Sequence, residues 1–63
     1  MTVYKKGDLV EVLLPGGWVS GRVHEVKENW GFPGKQETKY EVHGTKVPYI
    51  TLTSERSVRH AKR

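Results

Sequence analysis

The chain contains no cysteine in its 63 residues. Disulfides therefore cannot staple it, and a cysteine-based zinc site is excluded. The same lack fits an intracellular protein. Long apolar runs are missing as well. The longest, around Leu13-Leu14-Pro15, falls far short of a membrane span, so no membrane partner is expected. The opening Met1-Thr2-Val3-Tyr4-Lys5-Lys6 has no apolar core of signal-peptide type. No segment is long enough for an ordinary helix with an apolar stripe. Catalytic constellations are absent too. Ser20, Ser54 and Ser57 have no activating neighbours in sequence, and Glu25 and Glu28 have no implied acid–base partner. The glycine-rich pieces Pro15-Gly16-Gly17 and Gly31-Phe32-Pro33-Gly34 have neither P-loop nor dinucleotide spacing. The expectation is a protein that is not an enzyme and that needs no cofactor.

What the chain does have is a succession of short extended segments. A domain of this size buries only ~60% of the surface its unfolded form exposes, so its core is small. Val10, Val12 and Leu14 alternate with Leu9, Glu11 and Leu13, the period of a strand with one buried face. Pro15-Gly16-Gly17 ends that strand. A second strand runs from Trp18 to about Lys27, with Val19, Gly21 and Val23 on one face. Val26 falls out of phase, and a β-bulge near His24-Glu25 returns it to the core. Gly21, without a side chain, suits close approach of another strand. Residues 28–38 read as a long loop holding Trp30 and Phe32. Tyr40 and Val42 mark a third strand, with Glu41 and His43 on its opposite face. Val47 to Thr53 is a fourth, with Pro48 at a sheet edge. Residues 54–58 suggest a single 3-10 turn started by a serine cap, after which Val58 drops into the core as a short fifth strand. That order predicts an all-β, five-stranded SH3-like barrel over residues 4–59, followed by a basic tail over 60–63.

Several of these pieces resemble a known group. Gly7-Asp8-Leu9-Val10-Glu11-Val12, Trp18-Val19-Ser20-Gly21-Arg22-Val23, Lys39-Tyr40-Glu41-Val42 and Ser54-Glu55-Arg56-Ser57-Val58-Arg59 are similar to the successive strands of Tudor and Agenet domains, the Royal family of chromatin readers. The opening also resembles a KOW element of ribosomal and transcription proteins, through Gly7-Asp8 and Gly21-Arg22-Val23. KOW turns are usually basic, whereas Leu14-Pro15-Gly16-Gly17-Trp18 carries no charge. Both groups share the SH3-like barrel.

The resemblance to the Royal family implies a peptide-binding module whose rings hold a lysine or arginine side chain, methylated or not, by cation–π attraction. The implied peptide-binding positions are Trp18, Tyr40 and Tyr49, with Trp30 and Phe32 closing over them and Asn29 and Glu28 as polar partners. The alternative that Trp18 and Tyr40 pack the barrel while Trp30 covers one end stays open. A nucleic-acid-binding module, DNA or RNA, would instead join Arg56, Arg59, Lys62 and Arg63 to base-stacking rings such as Trp30 and Phe32. Residues 1–55 hold seven basic and seven acidic side chains, so the net charge of +4 comes from those four C-terminal residues alone. A third reading makes the module an accessory subunit whose rings form an interface. The spacings of His24, His43 and His60 match no zinc motif, so no metal is expected. His24 and His43 can nonetheless be neighbours on paired strands, giving a weak pH-sensitive or metal contact.

Overall fold

The computed structural model describes residues 3–61. The described residues are all-β apart from one short turn. Its elements are β1 (Leu9–Leu14), β2 (Gly17–Trp30), β3 (Glu37–Gly44), β4 (Ile50–Ser54), a 3-10 turn (Glu55–Ser57) and β5 (Val58–His60). They form one antiparallel sheet in the order β4-β3-β2-β1-β5, so β4 and β5 are its edges. The β1–β2 hairpin closes at the Leu14↔Gly17 pair, which leaves Pro15 and Gly16 as a two-residue turn.

Two register shifts bend β2. Val23 faces Val42 and Glu25 faces Glu41, so His24 is the extra residue of a bulge. The expected return of Val26 follows: it pairs with Tyr40 on the core side and packs against the core cluster. The second shift lies between Lys27 and Trp30, where Asn29 takes φ 56°. Because this irregularity is absorbed within the strand, β2 runs on to Trp30 and β3 starts at Glu37. The loop expected over residues 28–38 shrinks to 31–36. The fourth strand is also shorter than expected, beginning at Ile50, after Pro48 and Tyr49. The 3-10 turn forms where expected, but Ser54 makes no side-chain cap bond; the turn closes instead through the Val58 amide donating to the Glu55 carbonyl.

The core contains Val10 and Val12 of β1, Val23 of β2, Tyr40 and Val42 of β3, Val58 of β5, and Tyr4 ahead of β1. Paired residues share a face of the sheet, so this set is what strand alternation demands. The sheet curls strongly around it. In a flat sheet, β3 and β5 would lie ~14 Å apart, three strand spacings. Tyr4 nevertheless touches both. Its ring meets Tyr40 edge-on at 5.4 Å, and its hydroxyl donates to the Val58 carbonyl at 3.0 Å. The two edge strands are also joined by only the three residues of the 3-10 turn.

A glycine pair permits the curl. Gly21 and Gly44 face each other across β2 and β3. A Cβ on Gly21 would lie 2.5 Å from Val42 Cγ1 and 2.7 Å from the Tyr49 hydroxyl; one on Gly44 would strike the Val47 carbonyl and the Tyr49 ring. The Tyr49 ring fills the space that two missing side chains leave. This is the close approach expected at Gly21.

Candidate functional site

The five rings expected to line a binding groove do not converge. Tyr40 is 0% exposed and belongs to the core. Its hydroxyl accepts from the Val3 amide at 3.1 Å and donates to Glu55 Oε2 at 3.0 Å. Burial, aided by the Glu55 carboxylate, pushes its pKa above the ordinary phenol value. Tyr40 is therefore corrected from a groove ring to a structural one, because strand parity puts it on the same face as Val42. Tyr49 is half-buried over the glycine pair, its hydroxyl donating to the Ser20 carbonyl at 2.8 Å. Its pKa too is raised by burial. Tyr49 acts as a filler over the glycine pair.

Trp18 and Trp30 stand near opposite ends of β2. Trp18 pairs with Leu13 on the outer face of the sheet. There the Arg59 guanidinium lies over its ring, 4.0 Å from the centroid, while Arg59 Nε donates to Glu11 Oε1 at 2.7 Å. The β1–β5 register produces this stack, since Glu11 faces Arg59 directly. The cation that a cage would take from a guest is already supplied by the chain itself.

The other end is more open, although Lys27 lies over the Trp30 ring. Trp30 is 46% exposed and Phe32 81%. Together with Asn29 and Gly31 they line an open hollow of about 460 Å³. The backbone is committed to this display. Gly31 sits at φ 128°, and a Cβ there would meet the Lys35 carbonyl at 2.8 Å, so only glycine fits between the two rings. Asn29 is among the residues lining the hollow, while Glu28 is exposed and does not line it. Lys27 lies 5.5 Å from the Trp30 ring centroid and is held at 3.1 Å by Glu25.

The basic residues expected to form a tail are partly built into the fold. Arg56 is exposed in the 3-10 turn, Arg59 is engaged as described, and His60 pairs with Val10 in β5. Lys62 and Arg63 lie outside the described residues.

A second group gathers on the outer face of β2 and β3. The His24 and His43 rings stack 4.2 Å apart at 10°, as neighbouring paired-strand histidines. Glu41 joins them, its Oε2 2.8 Å from His43 Nε2. That contact pulls the Glu41 pKa below the ordinary carboxylate value. One potential ligand atom from each of the three lies within 4.8 Å of the others. Strand alternation had already put Glu41 and His43 on one face, and the β2–β3 register sets His24 beside them. The sequence held all three signals, but their union depended on the register.

The chain matches no family model, no curated protein and no solved structure. Its function rests on the geometry alone.

Proposed function

We propose that the chain is a non-enzymatic binding module of Tudor-like, SH3-barrel type that docks a peptide segment of a protein partner against Trp30 and Phe32. The strand order β4-β3-β2-β1-β5, the bulged β2 and the three-residue link between the edge strands support the barrel reading. The observation that carries the function is the pair of large exposed rings flanking a glycine that no other residue can replace. Apolar surface held open by a constrained backbone favours a contact site over chance exposure. The hollow has room for a few side chains, and its ring faces suit an apolar group or a methylated ammonium.

A peptide is favoured over nucleic acid at the two tryptophans, because the cations over their rings are already paired. Lys27 pairs with Glu25, Lys39 with Glu37 at 3.6 Å and Arg59 with Glu11. Phosphate recognition needs cations whose charge is not already neutralised. The test is an NMR titration of the labelled chain with lysine-bearing peptides, methylated and unmethylated, and with a single-stranded oligonucleotide. The proposal expects peptide-induced shifts centred on residues 29–36 that vanish in the W30A/F32A double variant. Shifts centred on Trp18 and Arg59 would overturn it. So would oligonucleotide binding that collapses with salt while no peptide binds.

A further inference from the structure

We propose that His24, Glu41 and His43 form a surface site for one first-row divalent transition ion of the zinc, nickel or copper type. The site is separate from the Trp30–Phe32 hollow and does not depend on the peptide reading.

Three features of the backbone converge on it. Alternation along β3 turns Glu41 and His43 to the outer face, two residues apart. Arg22 is the direct partner of His43, so a regular β2 would place residue 24 diagonally beside it. The bulge at His24 then keeps both His24 and Glu25 off the core side before Val26 turns back in. The result is two imidazoles and one carboxylate on a single patch, with one potential ligand atom from each within 4.8 Å of the others. Donors around a tetrahedral ion with metal–ligand bonds near 2.0–2.1 Å stand about 3.3 Å apart. The 2.8 Å contact from His43 to Glu41 is already close to that spacing. A small tilt of the His24 ring out of the stack brings the third donor in.

The surroundings suit a cation. Two neighbouring positive side chains are engaged by other groups, Arg22 donating to the Gly7 carbonyl at 2.8 Å and Lys27 held by Glu25 at 3.1 Å, although Arg22 still lines the hollow beside the histidines and the Lys27 charge still reaches Glu41. An open hollow of about 270 Å³ lies beside the two histidines, with Gly44 and Thr45 on its wall, and leaves room for water at the remaining coordination positions. The donor set decides the metal class. Two imidazole nitrogens and a carboxylate suit zinc, nickel and copper, whereas magnesium and calcium require oxygen ligands throughout.

The experiment is a titration of the whole chain with Zn²⁺ alone, read by calorimetry and by histidine-ring NMR, with Mg²⁺ as the comparison ion. Saturation at one Zn²⁺ per chain, with shifts at the His24 and His43 rings and the Gly44 and Thr45 amides, is expected. Mg²⁺ at the same concentration should move none of them. H24Q and H43Q should each weaken Zn²⁺ at least tenfold, and E41Q should weaken it less. H60Q, which alters the remaining histidine, should bind as the parent does. His24, Glu41 and His43 are on the outer face, and His60 is exposed, so circular dichroism should show each of the four variants folded. The proposal is overturned if the H24Q/H43Q double variant, still folded, binds Zn²⁺ as tightly as the parent. It is equally overturned if the shifts centre on His60 or if Mg²⁺ competes.

Discussion

The two ends of β2 each carry a tryptophan, and the molecule treats them in opposite ways. Trp18 lies under its own Arg59, within a network that runs through Glu11 and ties β5 to β1. Trp30 stands beside Phe32 at a loop tip, where Lys27 reaches its ring only at 5.5 Å, against 4.0 Å for Arg59 over Trp18, and the hollow the two rings line stays open. Residue type is the same at both ends, so type alone does not make a docking ring. The neighbour that strand pairing supplies decides it. At the hairpin end, pairing brings in an arginine held by a carboxylate. At the loop end, the special backbone at Asn29 and Gly31 throws the rings outward.

The comparison breaks altogether if the shared support is removed. Tyr40→Ala deletes a fully buried ring and its hydroxyl bonds, at a cost of about 3–5 kcal/mol. Urea melts read by the fluorescence of both tryptophans should then move together to much lower midpoints. Separate transitions at the two ends would show that they do not share one core.

Alkali should act on the same support. Tyr4, Tyr40 and Tyr49 all have raised pKa values, with burial the leading cause. The folded state therefore favours the protonated phenol. Their contribution is complete below the ordinary value of about 10 and is lost as pH climbs through the raised folded values. Urea midpoints should fall steeply from about pH 10 upward, and Tyr49→Phe should soften that fall. Glu41 works in the reverse sense, since its folded value is lowered by His43. Its contribution is present above the ordinary carboxylate range and is lost as pH drops through the lowered value. Because Glu41 lies at the surface of the sheet and is partly open to solvent, Glu41→Gln should alter the acid limb only slightly.

Arg59→Ala sharpens the difference between the ends. It should cost about 0.5–1 kcal/mol, expose Trp18 and alter its fluorescence, while leaving Trp30 untouched. A Trp18/Arg59 double-mutant cycle should return a coupling energy of that size; a coupling near zero would mean that the stack is only geometric. The smallest effect on stability is expected at the loop. The W30A/F32A double variant should stay within about 0.5–1 kcal/mol of the parent, because Phe32 is mostly exposed and Trp30 about half exposed. A large loss there would recast the loop as part of the core.

Much of the sheet was legible because it depends on short-range signals. The alternation of Val10 and Val12, the phase break before Val26 and the small residue at Gly21 each encode one local feature, and each feature is present. Tyr40 was legible in principle, since its parity with Val42 marks it as core; resemblance to ring-lined readers pulled it outward. Arg59 over Trp18 was not legible at all, because it depends on which residue of β5 meets Glu11. The loop boundary was missed because Asn29 and Gly31 can end a strand or merely kink it. The histidine pair was anticipated as a contact, while Glu41 entered only once the register was known.

The bonds from Tyr4 to Val58 and from Glu11 to Arg59 have a consequence for how the protein is made. A nascent polypeptide that has not yet delivered Val58 from the ribosome has no strand to zip onto β1 and no carbonyl to receive the Tyr4 hydroxyl. Cooperative folding must then wait until nearly all of these residues have been synthesised, and hairpins that form earlier remain provisional.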